Sequence, residues 1–370
     1  MQYKKEVFYF TFYLVCILAL LISCDQGNKK SNIDITARLD SLFETVFKKN
    51  EPGAAVLIAR DGKVIYQQGF GLADMNTKET INAHTLFNLG SISKTFVAYG
   101  ILQLAKENKL SLDDELHKYF PDFTDPVIAK SIKLHHLLTH TSGLPDIRNV
   151  AADSIFYLTA KDEENWAPEK KTTQLEFQPG ERFNYSNPAF NGLALIIEKV
   201  SGMKWQDYIQ KKIMGPAGMK TSTITDGAHP DKGVAHGYLF DGTNFSEKDY
   251  GEEPTFAASG NGGVWSSVEE LWKYERSIQD YVFLDSTWIK KSRTVYNYEN
   301  WNDSIPAFLG LSWFITEFEK EKMIGHTGSQ GGFRSDYVLL PEKKLYYVIL
   351  CNTPKPLTEL RKAVFKITNM

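Results

Sequence analysis

Cysteine is scarce in this sequence, which contains three among 370 residues. Cys16 lies in an apolar run near the N-terminus, Cys24 follows that run, and Cys351 ends the apolar run 345–351. If the first two belong to an N-terminal targeting segment, no intramolecular disulfide can form. This excludes a fold held together by disulfides, and it predicts that Cys351 is a small buried strand residue.

An excess of charge of one sign is also lacking. The chain has 42 Lys and Arg against 45 Asp and Glu, a formal net charge of -3. It contains no basic stripe and no run of arginines interleaved with aromatic residues. The sequence therefore gives no indication of nucleic-acid binding.

No apolar run reaches the roughly 20 residues that a membrane-spanning helix needs. The longest candidate, 7–22, follows two lysines and precedes Ser23 and Cys24, a pattern typical of a cleaved export signal over residues 1–23. The tetrapeptide 21–24, Leu-Ile-Ser-Cys, resembles the lipobox of bacterial lipoproteins. This implies lipidation of Cys24 and a lipid anchor in a membrane of the bacterial cell envelope, on its periplasmic or surface face. An uncleaved anchor or an ordinary secretory signal is the alternative.

The remaining chain alternates strand and helix patterns. Asp61-Gly62, a strong hairpin signal, separates two strand-like runs. Near the C-terminus four further runs read as strands, followed by a helix at 357–367. The six predicted strands are 54–60, 63–69, 308–316, 322–325, 333–340 and 345–352. This order predicts an α+β fold in which both chain ends build one antiparallel sheet, flanked by helices.

The domain boundaries follow from composition. Residues 24–33 are polar and predict a tether, and 34–370 form the folded domain, with a mainly helical subdomain at roughly 110–305. Three irregular stretches, 146–178, 221–263 and 281–305, are expected to determine specificity. We expect the aromatic residues of 281–301 to pack against the helical layer rather than to line a groove.

A candidate nucleophile opens a central helix. Gly90 permits a tight turn, Ser91 follows it, and the apolar spacing after Lys94 predicts a helix over 95–108 with a buried face. Residues three apart share a helix face, so Ser91 Oγ and the Lys94 amine are expected to be in contact. An amine can accept a serine proton only if burial or nearby cations keep it neutral.

Ser-x-x-Lys alone is a weak signal. A second copy, Ser201 to Lys204, contains a helix-breaking glycine and reads as a turn between helices. Ser91 itself could be a helix cap beside a surface lysine. The chain contains no Gly-x-Ser-x-Gly, which removes the α/β-hydrolase explanation for a catalytic serine.

Two further motifs follow Ser91-x-x-Lys94 in order. Tyr185-Ser-Asn187 is one of two Tyr-x-Asn copies, the other being at Tyr298, and His326-Thr-Gly328-Ser329 is the only His-x-Gly. The ordered set resembles the serine β-lactamase and penicillin-binding-protein superfamily, in its class C β-lactamase, D,D-carboxypeptidase and esterase branch. Short flanking sequence segments match as well, and the resemblance spans roughly 53–352. These segments begin at Leu137, Pro179, Gly215 and Gly331.

The resemblance implies a β-lactamase/transpeptidase-like fold and a role for each site residue. Ser91 would form an acyl-enzyme, and Lys94 and Tyr185 would move its proton. Asn187 would hold the lysine and a substrate amide. The backbone N–H groups of Ser91 and Ser329 would form the oxyanion hole, with Gly328 beside them. No cofactor is implied, and the expected partner is a small-molecule or peptide substrate.

The third motif departs from the family pattern, because Lys-Thr-Gly is common there and no Lys-x-Gly occurs in this chain. His326 is expected to be largely neutral at pH 7, and the loss of a permanent cation weakens the case for a dedicated β-lactamase. A histidine at this position is similar to some esterases and D-aminopeptidases of the branch. The leading prediction is a serine hydrolase acting on an amide or ester, such as a D-amino-acid peptide. The alternatives are a β-lactamase or D,D-carboxypeptidase, and a binding protein without turnover.

His136 and His140 are four residues apart and could share a metal ion. No glutamate completes a His-Glu-x-x-His motif, and no second ligand cluster stands out. We therefore expect structural histidines at a helix end and no metal.

Overall fold

The computed structural model describes residues 35–148, 156–227, 229–247 and 256–368. The predicted export signal, the lipidation site at Cys24 and the tether at 24–33 lie outside these ranges and stay predictions. Across the described ranges, no helix combines the length and the apolar character that crossing a bilayer requires.

The chain divides into two compact units. The smaller consists of the chain ends, up to Val46 and from Thr358, and the larger of Phe47–Leu357. The smaller unit contains helix α1 (35–46) and nearly all of helix α11 (Leu357–Ile367). Their buried apolar side chains recur at helical spacing. These are Leu39, Phe43, Leu360, Val364 and Phe365.

The larger unit contains the remaining elements. Its strands are β1 (Ala54–Arg60), β2 (Lys63–Phe70), β3 (Phe87–Asn88), β4 (Thr223–Ile224), β5 (Leu239–Phe240), β6 (Phe245–Ser246), β7 (Val264–Ser266), β8 (Phe314–Phe318), β9 (Glu321–Gln330), β10 (Phe333–Leu340) and β11 (Leu345–Cys351). Its helices are α2 (Ser93–Lys106), α3 (Pro126–Ser131), α4 (Leu134–Leu138), α5 (Phe156–Thr159), α6 (Asp162–Trp166), α7 (Asn187–Ser201), α8 (Trp205–Ile209), α9 (Val268–Gln279) and α10 (Ser286–Ser292).

A six-stranded antiparallel sheet joins the two ends of the larger unit, in the order β2-β1-β11-β10-β9-β8. Ala54 of β1 lies opposite Cys351 of β11, and Cys351 lies opposite Arg334 of β10. The prediction of one sheet built from both chain ends is therefore confirmed. Strands β1 and β11 are interior strands of this sheet and are buried on both faces, and Cys351 is fully buried as expected.

Two of the predicted C-terminal strands are shifted. The run 308–316 was predicted as a strand, but β8 begins only at Phe314, because Gly310 and Ser312 form a turn in which Ser312 has a φ of 69°. Strand β9 is much longer than the predicted 322–325 and reaches Gln330. The motif that begins at His326 thus lies within a strand.

The region predicted as mainly helical contains strands as well. Helices α3 to α10 lie within 110–305, together with the short strands β4 to β7. The stretch 146–178, predicted to be irregular, contains α5 and α6, and Trp166 at the end of α6 is buried. A large buried aromatic anchors this segment to the core.

Helix α2 is the centre of the helical layer. Twelve of its fourteen residues are buried, and it packs against α7. Immediately before it, β3 pairs with β7, which also pairs with β4. This small sheet fixes the chain that leads from Phe87 into the turn at Ser91.

Candidate active site

Ser91 lies in a tight turn between β3 and α2. The turn Gly90–Ile92 is 3-10 helical, and Gly90 has a φ of 53°, a conformation that favours glycine. The amide of Gly90 donates to Oδ1 of Asn88 (2.9 Å), and the amide of Leu89 donates to the carbonyl of Val264 (2.9 Å). Ser91 is partly exposed at the start of a buried helix.

Lys94 is buried beneath Ser91. Its Nζ lies 3.0 Å from Ser91 Oγ and donates to the carbonyl oxygen of Asn261 at 2.6 Å. Burial, assisted by the positive charge of Arg148, holds the pKa of the Lys94 amine well below its usual value of 10.5. The ion pairs among the described residues include no carboxylate partner for this amine. The neutral form, which can accept a proton, is therefore favoured.

Tyr185 completes a cluster with these two residues. Its hydroxyl lies near enough to the Ser91 side chain for the serine to lower its pKa slightly, and Lys94 Nζ lies 5.1 Å from the centre of its ring. Burial raises the pKa of Tyr185 to about 12, so that the phenol keeps its proton at neutral pH. Burial thus favours the neutral form of both the amine and the phenol.

His140 supports Tyr185 from below. The two rings stack with their centres 4.3 Å apart, and Nδ1 of His140 accepts a hydrogen bond from the amide of Ser186 (3.0 Å). A backbone amide only donates, so the ring is the tautomer with its proton on Nε2. Burial and the nearby Lys94 and His326 keep its pKa well below 6.5. His136 Nδ1 instead accepts from the amide of Lys133, so the two histidines have separate structural partners.

Strand β9 approaches the Ser91 turn through glycine. A Cβ atom on Gly328 would lie 1.9 Å from the carbonyl oxygen of Leu89, and one on Gly90 would lie 2.6 Å from the amide nitrogen of Ser329. The Ser335 hydroxyl, from the next strand, donates to Leu89 O at 2.9 Å. The Ser329 amide is thereby held next to the turn that carries the Ser91 amide.

His326 lies deeper in the same strand and is only 3% exposed. Its Nδ1 donates to the carbonyl of Thr327 at 2.7 Å, and its Nε2 has no hydrogen-bond partner in the described part of the chain. Burial and the proximity of Lys94 lower the pKa of His326 to about 3. The ring is therefore neutral throughout pH 5 to 8, and it supplies no charge there.

A cavity of about 400 Å³ opens over this cluster. It contains three of the predicted site residues, Ser91, Asn187 and Ser329, together with two polar residues that the motifs did not single out, Asn261 and Arg334. Asn187 begins α7, whose N-cap Ser186 accepts from the amide of Ala189. The remaining lining residues are Leu158, Leu239, Gln330, Gly331 and Gly332.

Asn261 is the residue that sequence reasoning missed most clearly, since it lies in a stretch predicted only as a long loop. Its Oδ1 accepts from the Ser259 hydroxyl (2.7 Å), and the neighbouring amide of Gly260 donates to buried Asp162 (2.8 Å). Asn191 of α7 donates to the same carboxylate oxygen. These bonds fix the carbonyl that holds Lys94, and the cluster of glycines at 260–263 was the only sequence signal for such a constrained loop.

Arg334 places a cation in the cavity. It lies in β10 directly opposite Ser329 of β9 and belongs to the sequence segment that begins at Gly331. That segment indicated the family resemblance but no role for Arg334. An arginine is permanently charged, unlike the neutral His326.

The second copies of the motifs lie elsewhere. Ser201 Oγ accepts from the amide of Met203, and Lys204 points to Glu198. The Tyr298 hydroxyl bonds Thr139 at 2.7 Å and its ring packs against His135, so this part of the aromatic span packs as expected. A larger groove of about 1110 Å³ contains none of the candidate reactive side chains, but Tyr281 and Tyr296 of the aromatic span line it, contrary to the expectation for that span.

Comparison with known proteins agrees with the fold. A family model described as Beta-lactamase matches residues 39–367. The chain is similar to "Penicillin-binding protein 4*" of Bacillus subtilis (strain 168), with 26% identity over 347 residues, 89% of this chain and 74% of that protein.

Two solved structures are also similar. The octameric penicillin-binding protein homologue from Pyrococcus abyssi has a TM-score of 0.73 and 30% identity, covering 90% of this chain and 76% of that one. The D-amino acid amidase from Ochrobactrum anthropi SV3, complexed with L-phenylalanine amide, has a TM-score of 0.72 and covers 92% and 98%. Its 20% identity shows a shared fold alone.

Substituting Gly328 tests the close approach of β9. We expect Gly328→Ala to lower the free energy of unfolding by about 1–3 kcal/mol, because the new methyl group must push β9 away from Leu89. Urea unfolding followed by tryptophan fluorescence measures this loss, and reaction with a fluorophosphonate measures the reactivity of Ser91. We expect that reactivity to be lost.

Gly202→Ala is the matched control. Gly202 has a φ of 70°, but no atom lies within 4 Å of the position that a methyl group would take, so alanine adds only backbone strain of about 1–2 kcal/mol. Ser91 should react normally in this variant. Equal reactivity of Ser91 in the two variants would show that the close approach of β9 to Leu89 does not require glycine at position 328.

Proposed function

Because the chain belongs to the beta-lactamase family, we propose that it is a serine hydrolase that cleaves an amide or ester through an acyl-enzyme on Ser91. One observation carries the proposal: a buried amine, for which the described residues include no carboxylate partner, lies 3.0 Å from Ser91 Oγ and 5.1 Å from the centre of the Tyr185 ring. Burial of a lysine amine costs free energy, and a purely structural role does not explain that cost. A role in proton transfer does explain it, because such a role requires the neutral amine.

The proposed reaction begins with proton transfer. Lys94 Nζ accepts the Ser91 proton while Oγ attacks the substrate carbonyl carbon, forming a C–O bond and a tetrahedral oxyanion. The amides of Ser91 and Ser329 donate to that oxyanion. The carbonyl of Asn261 holds the amine in place during the transfer.

The second half of acylation needs a proton donor for the leaving group. The Tyr185 hydroxyl donates its proton to the departing nitrogen or oxygen as the C–N or C–O bond breaks, and it regains a proton from the Lys94 ammonium. A phenol whose pKa is about 12 suits this donor role better than the role of resting base. Water then attacks the acyl-enzyme, with the same groups acting in reverse, and releases the carboxylic acid.

The proposed substrate is a D-amino-acid peptide or ester. The structural neighbours include a D-amino acid amidase and a penicillin-binding protein homologue, which supports this class. Arg334 lines the cavity, and its charge favours a substrate that ends in a carboxylate, as the substrate of a D,D-carboxypeptidase or a class C-like β-lactamase does. Neutral His326 does not contribute charge to such binding.

Covalent labelling tests the nucleophile. We expect a fluorophosphonate to form one adduct per chain on Ser91, located by mass spectrometry, and Ser91→Ala to abolish it. Ser201→Ala removes the other Ser-x-x-Lys serine and should leave labelling unchanged. Labelling that persists in Ser91→Ala would refute the assignment, and binding of a fluorescent penicillin without release of product would indicate a binding protein without turnover.

The pH dependence of acylation tests the proton-transfer groups. At low pH Lys94 is protonated and cannot accept a proton, so the rate should rise about tenfold per pH unit and level off above the lowered pKa of the amine. We expect no second inflection between pH 5 and 8 from His326, because burial lowers its pKa to about 3, and burial also holds the pKa of His140 well below 6.5. Stopped-flow acylation by an activated ester gives the profile.

Tyrosine variants complete that test. Tyr185→Phe should lower the rate of acylation by an amide or an unactivated ester by about 100-fold or more, because such a leaving group needs the lost proton donor. Acylation by the activated ester, whose leaving group departs without protonation, should fall much less. Tyr298→Phe removes the hydroxyl from the other Tyr-x-Asn copy and should keep the wild-type profile. A descending limb between pH 5 and 8 would instead assign catalysis to a protonated histidine.

The charge of Arg334 predicts substrate preference. Arg334→Gln should reduce kcat/KM by about tenfold or more for substrates with a free carboxylate, while kcat/KM for matched neutral amides or esters changes little. Arg276→Gln removes an arginine from the outer face of α9 and serves as the control. An equal loss for both substrate classes would mean that Arg334 stabilises the cleft but does not select charge.

A further inference from the structure

A cluster of three side chains outside the Ser91 cavity has no part in the proposed reaction. His229, His236 and Glu247 come from the stretch between β4 and β7, and their donor atoms all lie within 4.8 Å of one another. The two imidazole rings stack with centres 4.1 Å apart and an angle of 14° between their planes. Nδ1 of His236 lies 2.9 Å from Oε2 of Glu247.

A simple ion pair explains only part of this arrangement. His236 and Glu247 satisfy each other, but Nε2 of His229 is buried and has no hydrogen-bond partner among the described residues. An unsatisfied buried nitrogen costs stability unless another group binds it.

The surrounding groups hold the three donors in place. The Tyr238 hydroxyl accepts from the amide of Met75 (2.9 Å) and donates toward Oε1 of Glu247 (3.2 Å) and Oδ1 of Asp74 (3.4 Å). The amide of His236 donates to the carbonyl of Ala73 at 2.9 Å. Such second-layer hydrogen bonds orient ligands in metal sites.

The charge also fits a cation. Glu247 and Asp74 place two carboxylates at this cluster, and the Tyr238 hydroxyl contacts an oxygen of each. Two carboxylates facing two imidazoles match the charge of a divalent ion. The side chains of His236 and Glu247 are 27% and 17% exposed, so an ion can enter and keep a water molecule.

We propose that His229, His236 and Glu247 form a binding site for a divalent transition-metal ion, with Zn²⁺ the best match. Two histidines, one glutamate and a water are a known tetrahedral set for zinc, with bonds of about 2.0–2.2 Å. Ligand atoms around such an ion are roughly 3.3 Å apart. The three donor atoms already lie within 4.8 Å of one another, so a small contraction brings them to the ion. Calcium and magnesium prefer oxygen ligands and fit poorly.

The position of the cluster gives the ion a structural role. Leu239, three residues after His236, lines the Ser91 cavity, and a Cβ atom on Gly237 would lie 2.2 Å from the carbonyl oxygen of Gly331 in the same wall. A metal that joins His229 to Glu247 would cross-link the stretch that carries this wall. The ion would stabilise the wall without taking part in the reaction.

Metal titration of the full chain tests the site. The protein is treated with EDTA, dialysed, and titrated with Co²⁺, whose visible ligand-field bands report a four-coordinate nitrogen and oxygen environment, and Zn²⁺ is then added in competition. We expect one Co²⁺ per chain, displaced by one Zn²⁺, and a rise in Tm with Zn²⁺ concentration. His229→Gln, His236→Gln and Glu247→Gln should each weaken binding by at least about 100-fold, and Tyr238→Phe by about tenfold.

His84→Gln is the matched control, because His84 also contacts a glutamate, Glu269, but is exposed and does not belong to the cluster. It should bind Co²⁺ like the wild type. Wild-type protein that binds no Co²⁺ above the background of the cluster variants, or that binds it equally after all three cluster substitutions, would overturn the proposal. The wild-type stoichiometry and Tm shift decide the matter even if a variant folds poorly.

Discussion

The burial of one amine without a compensating negative charge is the constraint on which the site depends. An ammonium group in the interior is costly, so the structure favours the neutral amine of Lys94. This requires that α2 be surrounded on nearly all sides, which explains why twelve of its fourteen residues are buried. It also requires one fixed acceptor for the amine hydrogens, which the carbonyl of Asn261 supplies. The fold of the helical layer and the chemistry proposed for Ser91 are therefore consequences of the same packing.

The sheet supplies the other half of the site. Strand β9 must pass close enough to the Ser91 turn for the Ser329 amide to face the same space, and the absence of a Cβ at Gly90 and Gly328 allows this approach. Its neighbour β10 binds the turn through Ser335 and presents Arg334 beside Ser329. Because β10 pairs with β11, which pairs with β1, the position of the turn depends on strands from both ends of the larger unit.

Much of this could be predicted from the sequence. The hairpin at Asp61-Gly62 and strand β11 have local signals, an unambiguous turn and a continuous apolar run, and they occur within one residue of the predicted bounds. The sequence predicts too short a strand β9, because the residues after Gly325 are small or polar. Pairing with β10 keeps these residues extended. Ser91 and Lys94 share a helical repeat, so their contact was predictable. Asn261 and His140 act through a backbone carbonyl and a stacked ring, and the sequence does not predict these contacts because they depend on tertiary packing.

The third motif shows how the electrostatics of the site limit its sequence. A lysine at position 326 would bury a second cation near Lys94, whereas a histidine there can lose its proton, and burial lowers its pKa to about 3. A cation for the proposed carboxylate-bearing substrate then has to come from a more exposed position. Arg334 meets that requirement, since it lies in the adjacent strand, lines the cavity and is partly exposed. Placing the charge on β10 instead of β9 separates the group proposed to select the substrate from the groups proposed to move the proton.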